Sequence, residues 1–347
     1  MKRARGYHGP VKTATPAMAR AINDRLALDL LLERGPLTAP QLREITGLSR
    51  PTVSDLVERL RSAGLIEVTG ESGEDRRGPN ARVYGLVADR AHVAGVDIRW
   101  TGLRVTVADL TGREVGTAVR EPSEDLYEAI TGAVAQAAGG RRLQAVVIGS
   151  PGLVHPETSA LTSDYRVRGW HPGLLGELRR SLGVQVVLEN ETNLAAIAEH
   201  RQGSARGVAD FVLMWLDDGV GGAIVLGGKL RRGMSGGAGE IGTLDLGMHD
   251  PTLCRAVEVA LEDGTGLAER VARGVFAVVA VLDPGLVVLG GRIGREGGEE
   301  LAALVEEQVA LRSPAPTRVR PSTVEGNAVL QGAVLTALDL ARDEVFG

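Results

Sequence analysis

Two stretches of this chain, residues 93–109 (VAGVDIRWTGLRVTVAD) and 211–230 (FVLMWLDDGVGGAIVLGGKL), share one layout: an apolar strand, a turn and a second apolar strand. Alternating or continuous apolar runs of this length, bounded by turn residues, read as paired strands. After the first comes a helix-spaced segment, 126–138, and a strand, 143–148, that runs into Gly149-Ser150-Pro151-Gly152. After the second comes a helix end at 277–282, the turn Asp283-Pro284, and a strand, 286–289, that runs into Gly290-Gly291. Such an internal duplication predicts two stacked α/β lobes, each a sheet covered by helices, with ligands received at the strand ends in the cleft between them.

The length of 347 residues suits such a body plus a further domain. Hydrophobic residues make up 44% and charged residues 24%, a globular balance, and the 47 glycines recur beside Val/Ile/Leu runs as strand-end loops do. No apolar run reaches the ~18 residues of a membrane span, and the opening MKRARGYHGPVK lacks the apolar core of a signal peptide. A cytoplasmic protein without a membrane partner is expected. Cys254 is the only cysteine, which leaves no internal disulfide and no multi-cysteine zinc site.

Charge divides the chain. Residues 1–90 carry 15 Lys/Arg against 11 Asp/Glu, whereas residues 91–347 carry 24 against 33. A basic head on an acidic body is compatible with a nucleic-acid module at the front. Residues 1–20 hold Lys2, Arg3, Arg5, Lys12 and Arg20 without an acid, and read as a mobile basic arm.

Residues 21–90 read as a winged helix-turn-helix. A helix from Asn23 is expected to place Ile22, Leu26, Leu30 and Leu31 on one face, and Gly35-Pro36 stops it. Thr38 caps a short second helix that ends at Gly47. Ser49 caps a third, in which Pro51 is tolerated because a first-turn N–H has no partner to lose. Val53, Leu56, Val57 and Leu60 form the inner stripe of this third helix, and Ser49, Arg50, Thr52, Ser54 and Arg59 its other face. Two helices around a short glycine turn, the second opening with small polar and basic residues, are the arrangement that lays a helix in a major groove. Residues 65–68 and 82–86 would be wing strands around the tip GESGEDRRGPN, with Arg76, Arg77 and Arg82 facing phosphate or the minor groove. The expected partner is a double-stranded DNA operator.

In the body, a strand over 184–188 ends in Glu189-Asn190-Glu191-Thr192-Asn193 ahead of a helix. Such a cluster can hold a general base or bind a ligand's hydroxyls, and it also fits a plain helix cap. Residues 230–242, LRRGMSGGAGEIG, place the single acid Glu240 among five glycines. A charge in so turn-rich and apolar a setting calls for a partner, and a hydroxylated ligand or a cation would serve.

These residues resemble the ROK family of bacterial repressors, open-reading-frame proteins and sugar kinases. The likeness covers nearly the whole chain and is carried by Asp97, Gly149-Ser150-Pro151-Gly152, the 189–193 cluster with Ala195-Ala196 and Glu199, Gly219-Val220-Gly221-Gly222, the 233–242 loop and Leu289-Gly290-Gly291. It implies a winged helix-turn-helix at 21–90 and, at 91–347, an actin-like, ribonuclease-H-like two-lobed sugar-kinase domain for effector binding and oligomerisation. The departures bear on activity. The family's kinases follow the aspartate with a glycine-rich phosphate loop, where this chain has Ile98-Arg99-Trp100-Thr101. Their catalytic aspartate falls on Glu191, whose extra methylene shifts the carboxylate, and about 1 Å of misplacement can cost on the order of a hundredfold in rate. A sugar-contacting asparagine falls on or near Arg166, the histidine after Gly-Glu-Ile-Gly is Thr243, and the zinc loop retains only Cys254.

The resemblance therefore implies a regulator, a repressor by class, that binds DNA as a homodimer or homotetramer and answers to a sugar or sugar derivative. Asn190, Glu191, Glu240, Arg166 and Glu258 are the expected effector contacts, with no catalytic residue, metal or cofactor. The alternatives are a sugar kinase with a DNA-binding head, favoured by Gly219–Gly222 and Gly290-Gly291 as nucleotide loops, and a regulator that takes no ligand.

Overall fold

The computed structural model describes residues 15–72, 81–161, 167–245, 247 and 252–347. It divides into two compact units, residues 1–91 with 342–347, and residues 92–341.

The first unit opens with α1 (Pro16–Arg34), capped by Thr15, whose Oγ1 accepts the backbone N–H of Met18 at 3.2 Å. The helix thus starts well ahead of Asn23, because Thr15-Pro16 is itself a cap followed by a first-turn proline. Arg20 consequently belongs to a helix rather than to an arm, and residues 1–14 lie outside the described residues. The buried face is Ala27, Leu28, Leu30 and Leu31, whereas Ile22 (59%) and Leu26 (41%) are exposed, contrary to the expected stripe. After β1 (Leu37–Thr38), α2 (Ala39–Thr46) begins with a capping box: Gln41 donates its N–H to Thr38 Oγ1 at 3.3 Å, and Thr38 N donates to Gln41 Oε1 at 2.8 Å. Gly47 closes it in the left-handed region, and Ser49 caps α3 (Arg50–Ser62), which buries Val53, Leu56, Val57 and Leu60. Strands β2 (Ile66–Ser72) and β3 (Ala81–Leu86) pair antiparallel in the order β1-β3-β2, the expected wing.

The second unit repeats one topology twice. Its first sheet contains β4 (His92–Arg99), β5 (Gly102–Asp109) and β6 (Glu114–Arg120), then, after α4 (Leu126–Ala138), β7 (Leu143–Ser150) and, after α5 (Leu174–Leu182), β8 (Gln185–Asn190). The order β6-β5-β4-β7-β8 is antiparallel through β4 and parallel beyond it. Helix α6 (Glu191–Gln202) leads to the second sheet: β9 (Phe211–Leu216), β10 (Val220–Leu226) and β11 (Lys229–Arg231). Then come α7 (Leu253–Asp263), α8 (Leu267–Leu282), β12 (Leu286–Gly290), α9 (Gly291–Ala310), β13 (Arg318–Pro321) and α10 (Ala328–Phe346). The order β11-β10-β9-β12-β13 has the same antiparallel-then-parallel arrangement. The central strands β9 and β12 are buried along their whole length, as strands covered on both faces must be.

A shared core joins the lobes, in which Leu194, Ala195 and Ala198 of α6 and Val329, Ala333 and Ala337 of α10 pack with Val93 and Val147 of one sheet and Leu213 and Val288 of the other. Each lobe has a further core on its outer side, including Ile130, Val134, Leu174 and Leu178 in the first and Val271, Val275, Ala302 and Val305 in the second.

Gly290-Gly291 does not open into a loop. Gly291 starts α9 at φ 77°, and a Cβ there would lie 2.2 Å from the carbonyl oxygen of Leu216. The glycine is required by the close approach of α9 to the end of β9. Gly291→Ala is expected to cost about 2–4 kcal/mol, read as a lower urea midpoint; an unchanged midpoint would contradict this packing.

Candidate functional site

Asp97 near the end of β4 is 1% exposed, and a buried carboxylate needs donors. Arg99, two residues on, turns back so that its Nε donates to Asp97 Oδ2 at 3.0 Å, and Asn327 Nδ2, just before α10, donates to the same oxygen at 2.6 Å. The Arg99 guanidinium then reaches the second lobe, where Nη1 meets Asp217 Oδ2 at 3.4 Å in the β9–β10 turn. Beside it Trp100 Nε1 donates to Asp218 Oδ2 at 2.8 Å. The two hairpin tips of the duplicated unit are therefore clasped to each other by the chain's own side chains. A phosphate chain between such tips would need bare backbone N–H groups and positive charge. Here it would meet Arg99 and Trp100 side chains on one tip and two carboxylates on the other.

The polar cluster after β8 is mostly spent on structure. Asn190 caps α6: its Oδ1 accepts from the N–H of Thr192 (2.9 Å) and Asn193 (3.1 Å), and its Nδ2 donates to the Gly152 carbonyl at 3.0 Å. Of the two readings of that cluster, the cap describes Asn190. Glu189, 5% exposed, accepts Asn193 Nδ2 at 2.9 Å and forms an ion pair with Arg232 at 2.6 Å, which ties the glycine loop to the head of α6. That loop also docks on β10 through Gly222 N–H to Gly239 O at 2.8 Å. A Cβ at Gly239 (φ 96°) would lie 1.9 Å from Gly222 O, so the glycine permits the contact and sets the place of Glu240.

Glu191 follows the cap and faces a cavity of about 540 Å³ in the cleft. Its walls include Trp100, Trp215, Asp217, Asp218, Glu240 and Glu258, with Thr243 and Cys254. Burial pushes the Glu191 carboxyl up to about 7; the Arg99 charge opposes this, and Asp97, Asp217 and Asp218 reinforce it. Glu240 stands exposed at the rim, and partial desolvation by the surrounding loop raises its carboxyl above the usual range. Glu258 is paired with Arg255 at 3.1 Å and accepts from Cys254 Sγ at 3.8 Å. Of the expected effector contacts, Glu191, Glu240 and Glu258 are brought together, Asn190 is engaged elsewhere, and Arg166 lies outside the described residues. Arg99, Trp100, Asp217 and Asp218 were not anticipated as one group. The only sequence signal for it is the unusual charge and bulk in two turns of a duplicated hairpin.

In the first unit, Arg50 and Ser54 are exposed on α3, Ser49 caps the helix and shares a 2.8 Å hydrogen bond with Thr52, and Arg82 is exposed on β3. Arg59 is engaged within the unit: its Nε and Nη2 donate to Asp24 of α1 at 3.1 and 2.5 Å. Arg76 and Arg77 lie outside the described residues.

Residues 93–256 match the ROK family and residues 22–78 the MarR family. A glucokinase of Streptomyces coelicolor is 34% identical over 164 residues, or 46% of this chain and 51% of that enzyme, so the chain spans about half the length of this relative. A xylose repressor of Bacillus subtilis is 25% identical over 253 residues, covering 69% of this chain and 64% of the repressor. A solved ROK family transcriptional regulator, a homologue of the E. coli MLC protein, superposes with a TM-score of 0.72 over 94% of this chain and 99% of its own at 18% identity, a likeness of fold.

Because Glu191 holds its proton more tightly when folded than when unfolded, the stability it contributes is complete below the ordinary carboxylate range and is lost as pH rises through about 7. Glu191→Gln is expected to flatten this loss, gaining on the order of 2 kcal/mol on the parent between pH 5 and pH 8. Denaturant melts at the two pH values check it, and parallel curves for the two proteins would contradict the raised carboxyl.

Proposed function

The chain belongs to the ROK family, and on that footing we propose that it is a DNA-binding transcriptional regulator, a repressor by class, whose sugar-kinase-like body senses a small molecule rather than phosphorylating it. The observation that carries this reading is a winged helix-turn-helix with exposed Arg50 and Ser54 on its second helix, joined in one chain to a body whose hairpin tips are clasped by Arg99 and Trp100. The polar face of α3 supplies base-edge contacts and the wing, through Arg82, supplies phosphate contacts.

The effector site is the cleft cavity, with Glu191, Glu240 and Glu258 as hydroxyl acceptors. A ligand there acts on operator affinity only through different affinities for two states of the protein, and the coupling is reciprocal. An operator of paired half-sites calls for a two-fold assembly. Met18 (48%), Ile22 (59%) and Leu26 (41%) form an uncovered apolar stripe four residues apart on α1, which supports a homodimer closed through the heads.

The sugar-kinase reading draws support from the glucokinase identity and from Glu191, since a carboxyl near pH 7 is suited to act as a general base. The clasp weighs against it, because the Arg99 and Trp100 side chains stand where a phosphate loop needs bare backbone, and the facing tip presents two carboxylates.

Arg50→Ala is expected to weaken binding to a selected operator by about tenfold or more at fixed salt, while Arg82→Ala lowers the salt dependence of binding across all sequences. Gel shifts over a salt series read both; unchanged affinity in both variants would remove the assignment of α3 and the wing to DNA. Ile22→Asp is expected to shift the chain toward a monomer in light scattering, and an unaltered dimer would place the interface elsewhere.

A further inference from the structure

The carboxylates of the cleft can be accounted for one by one. Five line the cavity: Glu191, Asp217, Asp218, Glu240 and Glu258. Asp217 is satisfied by Arg99, Asp218 by the indole N–H of Trp100, and Glu258 by Arg255. Arg99, the one cationic side chain among the described lining residues, is committed to Asp97 and Asp217 at the clasp. Glu191 and Glu240 remain, from opposite lobes, with no side-chain hydrogen bond or ion pair to another described residue, although the Arg99 charge is felt at Glu191. Both carboxyls are raised by desolvation, as unpaired carboxylates facing a half-dry cleft should be. The same wall carries two indoles, Trp100 and Trp215.

A wall with two unpaired carboxyls, three further carboxylates and two aromatic faces against a single guanidinium has a definite preference. A neutral sugar would satisfy it in part, through hydroxyl donors. A phosphorylated or acidic sugar would be repelled. An ammonium supplies three donors and the missing positive charge, and it is attracted to indole faces as well. We propose that the cleft takes a cationic polyhydroxylated ligand, an amino sugar with its amine free, whose ammonium is held by Glu191 and Glu240 and whose ring lies against Trp100 and Trp215. This proposal rests on the reading of the cleft as the effector site and names the chemistry of its ligand.

The test is calorimetric titration of the full chain at pH 7 with glucosamine, N-acetylglucosamine, glucose and glucose 6-phosphate. Glucosamine is expected to bind about tenfold or more tighter than either neutral sugar, a difference of the size that one charge-assisted hydrogen bond provides. Glucose 6-phosphate is expected to be the weakest of the four. Glu191→Gln and, separately, Glu240→Gln, each confirmed as folded by thermal denaturation, are expected to remove most of the preference for glucosamine over glucose, read as the ratio of the two dissociation constants in each variant. Equal or tighter binding of glucose, N-acetylglucosamine or glucose 6-phosphate overturns the cationic ligand and leaves the cleft as an effector site. An undiminished glucosamine preference in both variants overturns the assignment to these carboxylates. No binding by any of the four at millimolar concentration overturns both the ligand class and the sugar-sensing reading beneath it.

Discussion

The body is organised around the burial of one carboxylate. Asp97 sits at 1% exposure near the end of a central strand, and an ionised group taken out of water without partners would cost several kcal/mol. Its partners are Arg99 from the end of the same strand and Asn327 from just before the closing helix, and Arg99 in turn reaches Asp217 of the other lobe. Where a glycine turn would leave this space to a ligand's phosphates, the chain fills it with a guanidinium and an indole. The lobes are thereby held by internal ion pairs and hydrogen bonds, and Arg99, Trp100, Asp217 and Asp218 wall the same cavity as Glu191 and Glu240.

Local signals were the legible ones. Thr38 with Gln41, Gly47, and Ser49 with Pro51 act within one turn of helix, so their chemistry is visible in a few consecutive letters, and each does in space what its spacing implies. The duplicated hairpins were legible because apolar periodicity repeats, and both sheets share one strand order. Thr15-Pro16 carries the same kind of start signal as Ser49-Arg50-Pro51, yet it lies in a stretch dominated by basic residues that suggested an arm. Ile22 and Leu26 fit a helical stripe, but periodicity does not say whether a stripe meets the core or a partner.

Long-range pairings were not legible. Arg59 lies opposite Asp24 from 35 residues away, and Arg99 and Trp100 find Asp217 and Asp218 across 118. No local pattern encodes such contacts; they exist because the two hairpins are equivalent elements placed tip to tip by the duplication. The glycines at 239 and 291 were visible, but their reason was not. Each permits backbone to approach a neighbouring carbonyl, which looks in sequence like a ligand loop. Asn190 shows the same limit, since cap and ligand contact use the same side chain and only its partners distinguish them.

Under the function proposed above, the clasp keeps nucleotide out of the body and leaves it a sensor. Titration of magnesium-ATP into the full chain, in the presence and absence of glucose, tests this most directly, with transfer of the terminal phosphate followed in the same samples. No saturable heat at millimolar nucleotide and no sugar phosphate are expected. Saturable binding in the micromolar range together with turnover of glucose would contradict it and return the chain to the kinases.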